Sequence, residues 1–179
     1  LVRSRGLGDV YKRQVWDYLS GLVDEERVQD GINAKNQLQS TLSRIEQRYG
    51  VKGTDVLGVW GVESNFGKQL GKKDLIQSLA TLSCFDRRQS YFRTEYANAL
   101  RILQNGDIRR DDMTGSWAGA FGQTQFMPST FLRLAQDFDG DGRKDLVNSQ
   151  ADALASTANF LDKAGYRTGE PWGFEVKLP

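Results

Sequence analysis

The chain has 179 residues, 39% of them hydrophobic, and a net charge of +1 from 24 basic and 23 acidic side chains. That is ordinary globular composition, enough for one domain with a sizeable core, and the balanced charge excludes the basic footprint of a nucleic-acid binder. Histidine is absent, which removes Ser-His-Asp and Cys-His catalysis and every histidine-ligated zinc site; chemistry falls to carboxylates, amides, hydroxyls and the backbone.

The opening LVRSRGLGDVYKRQ has neither an apolar stretch nor helical periodicity. Residues 1–14 therefore read as a non-native leader, with the domain expected over 15–179 and no export signal in view. No run approaches the roughly 18 apolar residues of a membrane span. Leu38, Leu42, Ile45 and Tyr49 follow i, i+4, i+7, i+11, which predicts an amphipathic helix closed by Gly50. Thr54 reads as the next N-cap, with Asp55 in the first turn. The run Val56-Leu57-Gly58-Val59-Trp60-Gly61-Val62 is apolar on every side, so that helix should be central and buried, ending near Gly67. Leu75, Leu79 and Leu82 mark another helix. Cys84 sits in the apolar run 79–85 and reads as a buried core thiol; as the lone cysteine it cannot form an internal disulfide. Phe92, Tyr96, Ala99 and Leu103 mark a further helix, stopped by Asn105-Gly106. Pro128 opens a short helix to about Gln136. Asp152 begins a last one carrying Leu154, Ala158 and Leu161, closed by Gly165. No alternating pattern longer than four residues suggests a strand. The fold class is mainly α, with chemistry expected on a Gly-rich loop before Pro128 and an Asp-rich loop over 137–148.

Glu63 closes GVWGVES. A carboxyl group after such an apolar run should be partly desolvated, which raises its pKa and suits a proton donor near neutrality; position alone equally allows an exposed helix-end glutamate. The second constellation is GSWAGAFGQTQFMP, residues 115–128. Ser116, Gln123 and Gln125 offer groups suited to sugar hydroxyls and N-acetyl groups, and Trp117, Phe121 and Phe126 offer apolar faces for sugar rings. A purely structural Gly-rich turn with core aromatics is the other reading.

VESNFG together with GSWAGAFGQTQFMPST resembles the MltB-type lytic transglycosylases of the lysozyme-like superfamily, over roughly residues 30–175. The resemblance implies a lysozyme-like helical domain that cleaves peptidoglycan glycan strands without hydrolysis, in the periplasm and as a monomer. It puts the catalytic acid at Glu63, the active-site serine at Ser116 and a glycan-contacting glutamine at Gln125. Arg87 and Arg88 fall on a pair facing the peptide side of the substrate, and Tyr91 on a cleft tyrosine. One carboxyl group suffices for this route: Glu63 protonates the glycosidic oxygen, then accepts the proton of the muramoyl C6 hydroxyl as that oxygen closes a 1,6-anhydro ring. No Asp or Glu lies within residues 115–128, which fits. A hydrolytic muramidase would need a second carboxylate, and a non-catalytic glycan- or calcium-binding module is the remaining alternative. Chains of this family normally continue past the point matching Trp172–Pro179, so the domain is expected to be C-terminally incomplete.

Asp137-Phe138-Asp139-Gly140-Asp141-Gly142-Arg143 matches the first half of an EF-hand calcium loop, with Asp137, Asp139 and Asp141 as ligands and Arg143 through its carbonyl. Position 12 is Asn148 instead of Glu, and Asp152 could supply the missing carboxylate; Asp145 is a weaker candidate. The resemblance implies a structural Ca²⁺ here and no cofactor for catalysis.

Overall fold

The computed structural model describes residues 15–171, 173 and 175–177; the leader expected at 1–14 lies outside them. Among the described residues the elements run α1 (Val15–Leu22), α2 (Glu25–Gln37), α3 (Gln39–Tyr49), α4 (Gly53–Ser64), β1 (Lys73–Asp74), α5 (Leu75–Phe85), α6 (Gln89–Asn105), β2 (Thr114–Gly115), α7 (Pro128–Leu134) and α8 (Gln150–Lys163). β1 and β2 pair antiparallel, Lys73 opposite Gly115. The mainly α expectation holds, and no helix is long and apolar enough to cross a membrane.

Local chemistry sets most boundaries. Asp24 caps α2 by accepting from the Arg27 N–H. Gly50 ends α3 in the left-handed conformation, and Gly106 does the same for α6. α4 departs from expectation at both ends. It starts at Gly53, whose N–H is taken by Glu46 Oε1 of α3, and Thr54 is not its cap. It stops at Ser64 because Asn65 and Phe66 turn left-handed, at φ 50° and 56°. Phe66 thereby folds back edge-on to Trp60, ring centroids 5.5 Å apart. A Cβ on Gly61 would stand 2.8 Å from that ring, so this turn requires glycine at 61.

The core forms two clusters. One gathers Leu75, Leu79, Phe92, Ile102, Phe121 and Phe131 from α5, α6, α7 and the Gly-rich segment. The other gathers Leu42, Ile45, Val56, Trp60 and Leu154 from α3, α4 and α8. α8 serves both, with every residue from Asp152 to Asn159 buried. α4 is not sheathed all round, as its apolar run suggested. It buries Val56, Leu57 and Trp60, while Val62 is half exposed beside a groove shared with α2. Cys84 is exposed, not a core thiol. Leu75, Leu79 and Ser83 form the inward stripe of α5 at i, i+4, i+8, which turns Cys84 and Phe85 outward.

Glu95 on α6 is buried, and both its oxygens serve Ser129: Oε2 accepts from the backbone N–H at 2.9 Å and Oε1 from the hydroxyl at 2.6 Å. It satisfies the first turn of α7 across the core. Glu95→Ala should lower unfolding stability by about 2–4 kcal/mol, since it strands two part-buried donors and opens a cavity at a buried side chain. Urea titration with an unchanged slope measures this.

Candidate functional site

Glu63 stands on the last turn of α4 and lines a cleft of about 360 Å³ together with Val59, Thr124, Gln125, Phe126, Met127, Phe160 and Leu161. The residue as a whole is exposed. Burial against those apolar walls nevertheless raises its pKa above the ordinary glutamate value. It receives no hydrogen bond from any described residue. Among the described residues it is the only carboxylate lining the cleft. Asp112 lies outside this lining and accepts from Arg109 and Asn148.

The Gly-rich segment is a folded unit. Phe121 bridges antiparallel to both Gly115 and Phe126. The Ser116 hydroxyl accepts from Ala120 N–H at 3.0 Å while the two backbones exchange a further bond, fixing a tight turn. Gly119, at φ 96°, lies so close to Leu79 and Met127 that a Cβ would meet Leu79 at 2.4 Å. Gln125 takes a left-handed backbone at φ 51°. Its amide nitrogen donates to Leu70 and Gly122 carbonyls, leaving its carbonyl oxygen for the cleft it lines. Thr124, also on that wall, has a buried hydroxyl without a partner. Two expectations change here. Gln123 does not face a sugar: it is 5% exposed, accepting from Trp60 Nε1 at 3.0 Å and donating to the Val147 carbonyl at 3.0 Å. Phe121 belongs to the core, while Phe126 lines the cleft and Trp117 is exposed.

Gln123 and Ser64 make the lock that positions Glu63. The Ser64 hydroxyl donates to the Gln123 carbonyl and accepts from Gly67 N–H. Gln123 N–H in turn donates to Leu146 at 2.8 Å. Helix α4, the Gly-rich segment and the Asp-rich loop thus share one buried set of polar bonds. Nothing in the spacing of Trp60, Ser64 and Gln123 announces it.

Glu63 and Gln125 line one cleft, and Ser116 organises the same segment. Arg87, Arg88 and Tyr91 lie at the start of α6, outside that cleft's lining. The Arg88 guanidinium stacks over Tyr91 and Phe92 at 5.4 and 5.1 Å and stands 3.9 Å from Asp86.

In the Asp-rich loop, carboxylate oxygens of Asp137, Asp139 and Asp152 lie within 4.8 Å of one another. Asp152 is buried and reaches back from α8, accepting from Phe138, Asp139 and Asp145 N–H groups. Burial raises its pKa against the pull of those donors, and the Asp139 charge adds to the rise. Three hard oxygens around one point, one of them desolvated, fit a divalent cation. Asp141 is outside the trio, its carboxylate taken by Arg143 N–H. Asp145 is turned to Val147 and Asn148, and Asn148 to Asp145 and Asp112.

Residues 9–179 match the family described as transglycosylase SLT domain. The chain is 36% identical over 154 residues to membrane-bound lytic murein transglycosylase B of Escherichia coli K12, covering 86% of this chain and 42% of that protein. It superposes on SltB3 of Pseudomonas aeruginosa in complex with NAG-NAM-pentapeptide with a TM-score of 0.89 and 48% identity, over 93% of this chain and 45% of that one. Against the Escherichia coli lytic transglycosylase Slt35 in complex with calcium the TM-score is 0.84 at 34% identity, over 92% and 54% of the two chains. The chain spans about half the length of these relatives.

The lock predicts the behaviour of Gln123→Ala. It strands the Trp60 N–H and the Val147 carbonyl in a buried place, so stability should fall by about 2–4 kcal/mol. Amide exchange should quicken together at the end of α4 and in residues 145–148, because one bond set ties both. Exchange confined to the Gly-rich segment would show that the three segments are held separately.

Proposed function

The chain belongs to the transglycosylase SLT-domain family, and on that premise we propose that it is a lytic transglycosylase. It cleaves the bond between N-acetylmuramic acid and N-acetylglucosamine in peptidoglycan and leaves 1,6-anhydromuramoyl ends. The observation that carries this is Glu63, a carboxyl group with a raised pKa and, among the described residues, no second carboxylate lining its cleft. A carboxyl group that desolvation makes hold its proton more tightly than an ordinary glutamate can give that proton to the glycosidic oxygen as the C1–O bond breaks. The resulting carboxylate then takes the proton of the muramoyl C6 hydroxyl, whose oxygen bonds to C1. One group acts as acid and then as base, and no water is consumed. A hydrolase would need a second carboxylate to direct water, and the described residues of the lining supply none. Gln125 offers its carbonyl to the glycan, Ser116 holds the segment that carries it, and Arg87, Arg88 and Tyr91 face the peptide stem. Its place of action is the periplasm, where that substrate lies, and it works as a monomer.

Glu63→Gln keeps the shape and removes the transferable proton. Anhydromuropeptide release should fall by at least a thousandfold. In the wild type, kcat/KM should decline as pH rises through the raised Glu63 pKa, because the acid must start protonated. The sign for stability is the same. Glu63 holds its proton more tightly folded than unfolded, so its contribution is present at low pH and lost as pH rises through the folded pKa. The variant should therefore melt no lower than the wild type at neutral pH.

The Asp-rich loop is proposed to hold a structural Ca²⁺ through Asp137, Asp139 and Asp152, with Asp141 and the Arg143 carbonyl completing the set. The supporting feature is the convergence of three carboxylates on one point. The ion would offset their repulsion and fix the loop that Gln123 ties to α4; the proton chemistry stays with Glu63. Calcium at about 100 times its dissociation constant should stabilise the fold by about 2.7 kcal/mol, a rise in melting temperature of roughly 5–10 °C. Asp152→Asn should lose most of that increment, whatever its own melting temperature. A calcium-indifferent wild type would remove the ion from the account.

A further inference from the structure

Trp117 is the largest apolar side chain left open by the Gly-rich segment: it is 70% exposed and packs on no aromatic or cationic partner among the described residues. The turn beneath it is rigid. Ser116 and Ala120 close it through two hydrogen bonds, one from backbone to side chain and one between backbones, Gly119 N–H adds a third to the Ser116 carbonyl, Gly119 sits against Leu79 and Met127, and Gly115 pairs with Lys73 of β1. An indole held out into water on a stiff turn forms one wall of a groove of about 380 Å³ over α5. Lys73, Asp74, Gln77, Ser78, Thr81 and Leu82 form the rest. This groove shares no lining residue with the Glu63 cleft, yet the Gly-rich segment borders both: Trp117 on one, Thr124 to Met127 on the other.

We propose that Trp117 and the α5 groove form a second saccharide subsite, which holds the glycan strand beyond the sugars being cleaved. This rests on the proposed glycan substrate. The chemistry suits a sugar ring: an aromatic plane for its apolar C–H face, with the Gln77 amide and the Ser78 hydroxyl beside it for its hydroxyl edge. Binding there spends contacts far from the reacting bond, so it favours long strands over short ones.

The test uses Glu63→Gln, which binds without turnover, and peptide-free glycan strands of two and eight sugars. The eight-sugar strand should shift tryptophan emission to the blue, and adding Trp117→Phe should abolish the shift. Trp117→Ala should weaken eight-sugar binding about tenfold, the equivalent of ~1.4 kcal/mol, and two-sugar binding less than twofold. Because the side chain is exposed, both variants should melt with the parent. An affinity of Trp117→Ala for both strands unchanged from the parent overturns the subsite, and so does an equal loss for both, which would put Trp117 in the cleavage cleft. A loss seen only with peptide-bearing strands overturns the saccharide assignment in favour of a stem peptide. If the wild type releases no anhydromuropeptide and Glu63→Gln binds neither strand, the function proposed above fails and takes this with it. An active wild type with indifferent Trp117 variants removes the subsite alone.

Discussion

One buried amide decides how the working parts of this molecule sit. Gln123 accepts from Trp60 on α4, donates to Val147 of the Asp-rich loop, and presents its backbone to Ser64 and Leu146. Apolar packing alone would leave the segments that meet here free to slide, because it is not directional. Buried polar groups have few ways to be satisfied at once. The end of α4 is therefore fixed against the segment that carries Gln125, and both against the loop that gathers three aspartates. The two hydrophobic clusters supply the bulk of the burial; this polar junction supplies the register between them.

The same physical effect acts on two carboxyl groups with different outcomes. Burial raises the pKa of Glu63 and of Asp152 alike. Glu63 has no donor among the described residues and opens on a cleft, so its proton can leave and return. Asp152 is enclosed, holds three backbone N–H groups and faces two further aspartates. It is enclosed by the fold and shielded from any substrate. In the proposed function, proton chemistry at Glu63 and cation binding at Asp152 are separated by this enclosure, although the groups are chemically alike.

Helices with a clean inward stripe were legible in the sequence. α3, α5 and α6 follow their periodicity, and glycines mark the ends of α3 and α6. α2 was not, because Ala34 is its only buried residue and no stripe exists to be read. Composition also misleads where geometry rules. Cys84 looked buried because its neighbours are apolar, yet helical phase turns it out. Gln123 looked like a glycan contact because it stands two residues from Gln125. Between them the chain crosses a bridge from Phe121 to Phe126 and turns left-handed at Gly122 and Gln125, which sends one amide inward and the other to the cleft. Spacing carries no trace of those turns. The gathering of Asp137, Asp139 and Asp152 follows the loop chemistry, while the bond that turns Asp141 to the Arg143 N–H needed coordinates.

The central claim is that a single carboxyl group closes the muramoyl ring without water. Digesting purified peptidoglycan in ¹⁸O-labelled water and weighing the products tests it most directly. The account predicts anhydromuramoyl ends free of the label from the first turnover. Reducing ends that carry ¹⁸O would contradict it, because water would then be the nucleophile and Glu63 would be working with a partner.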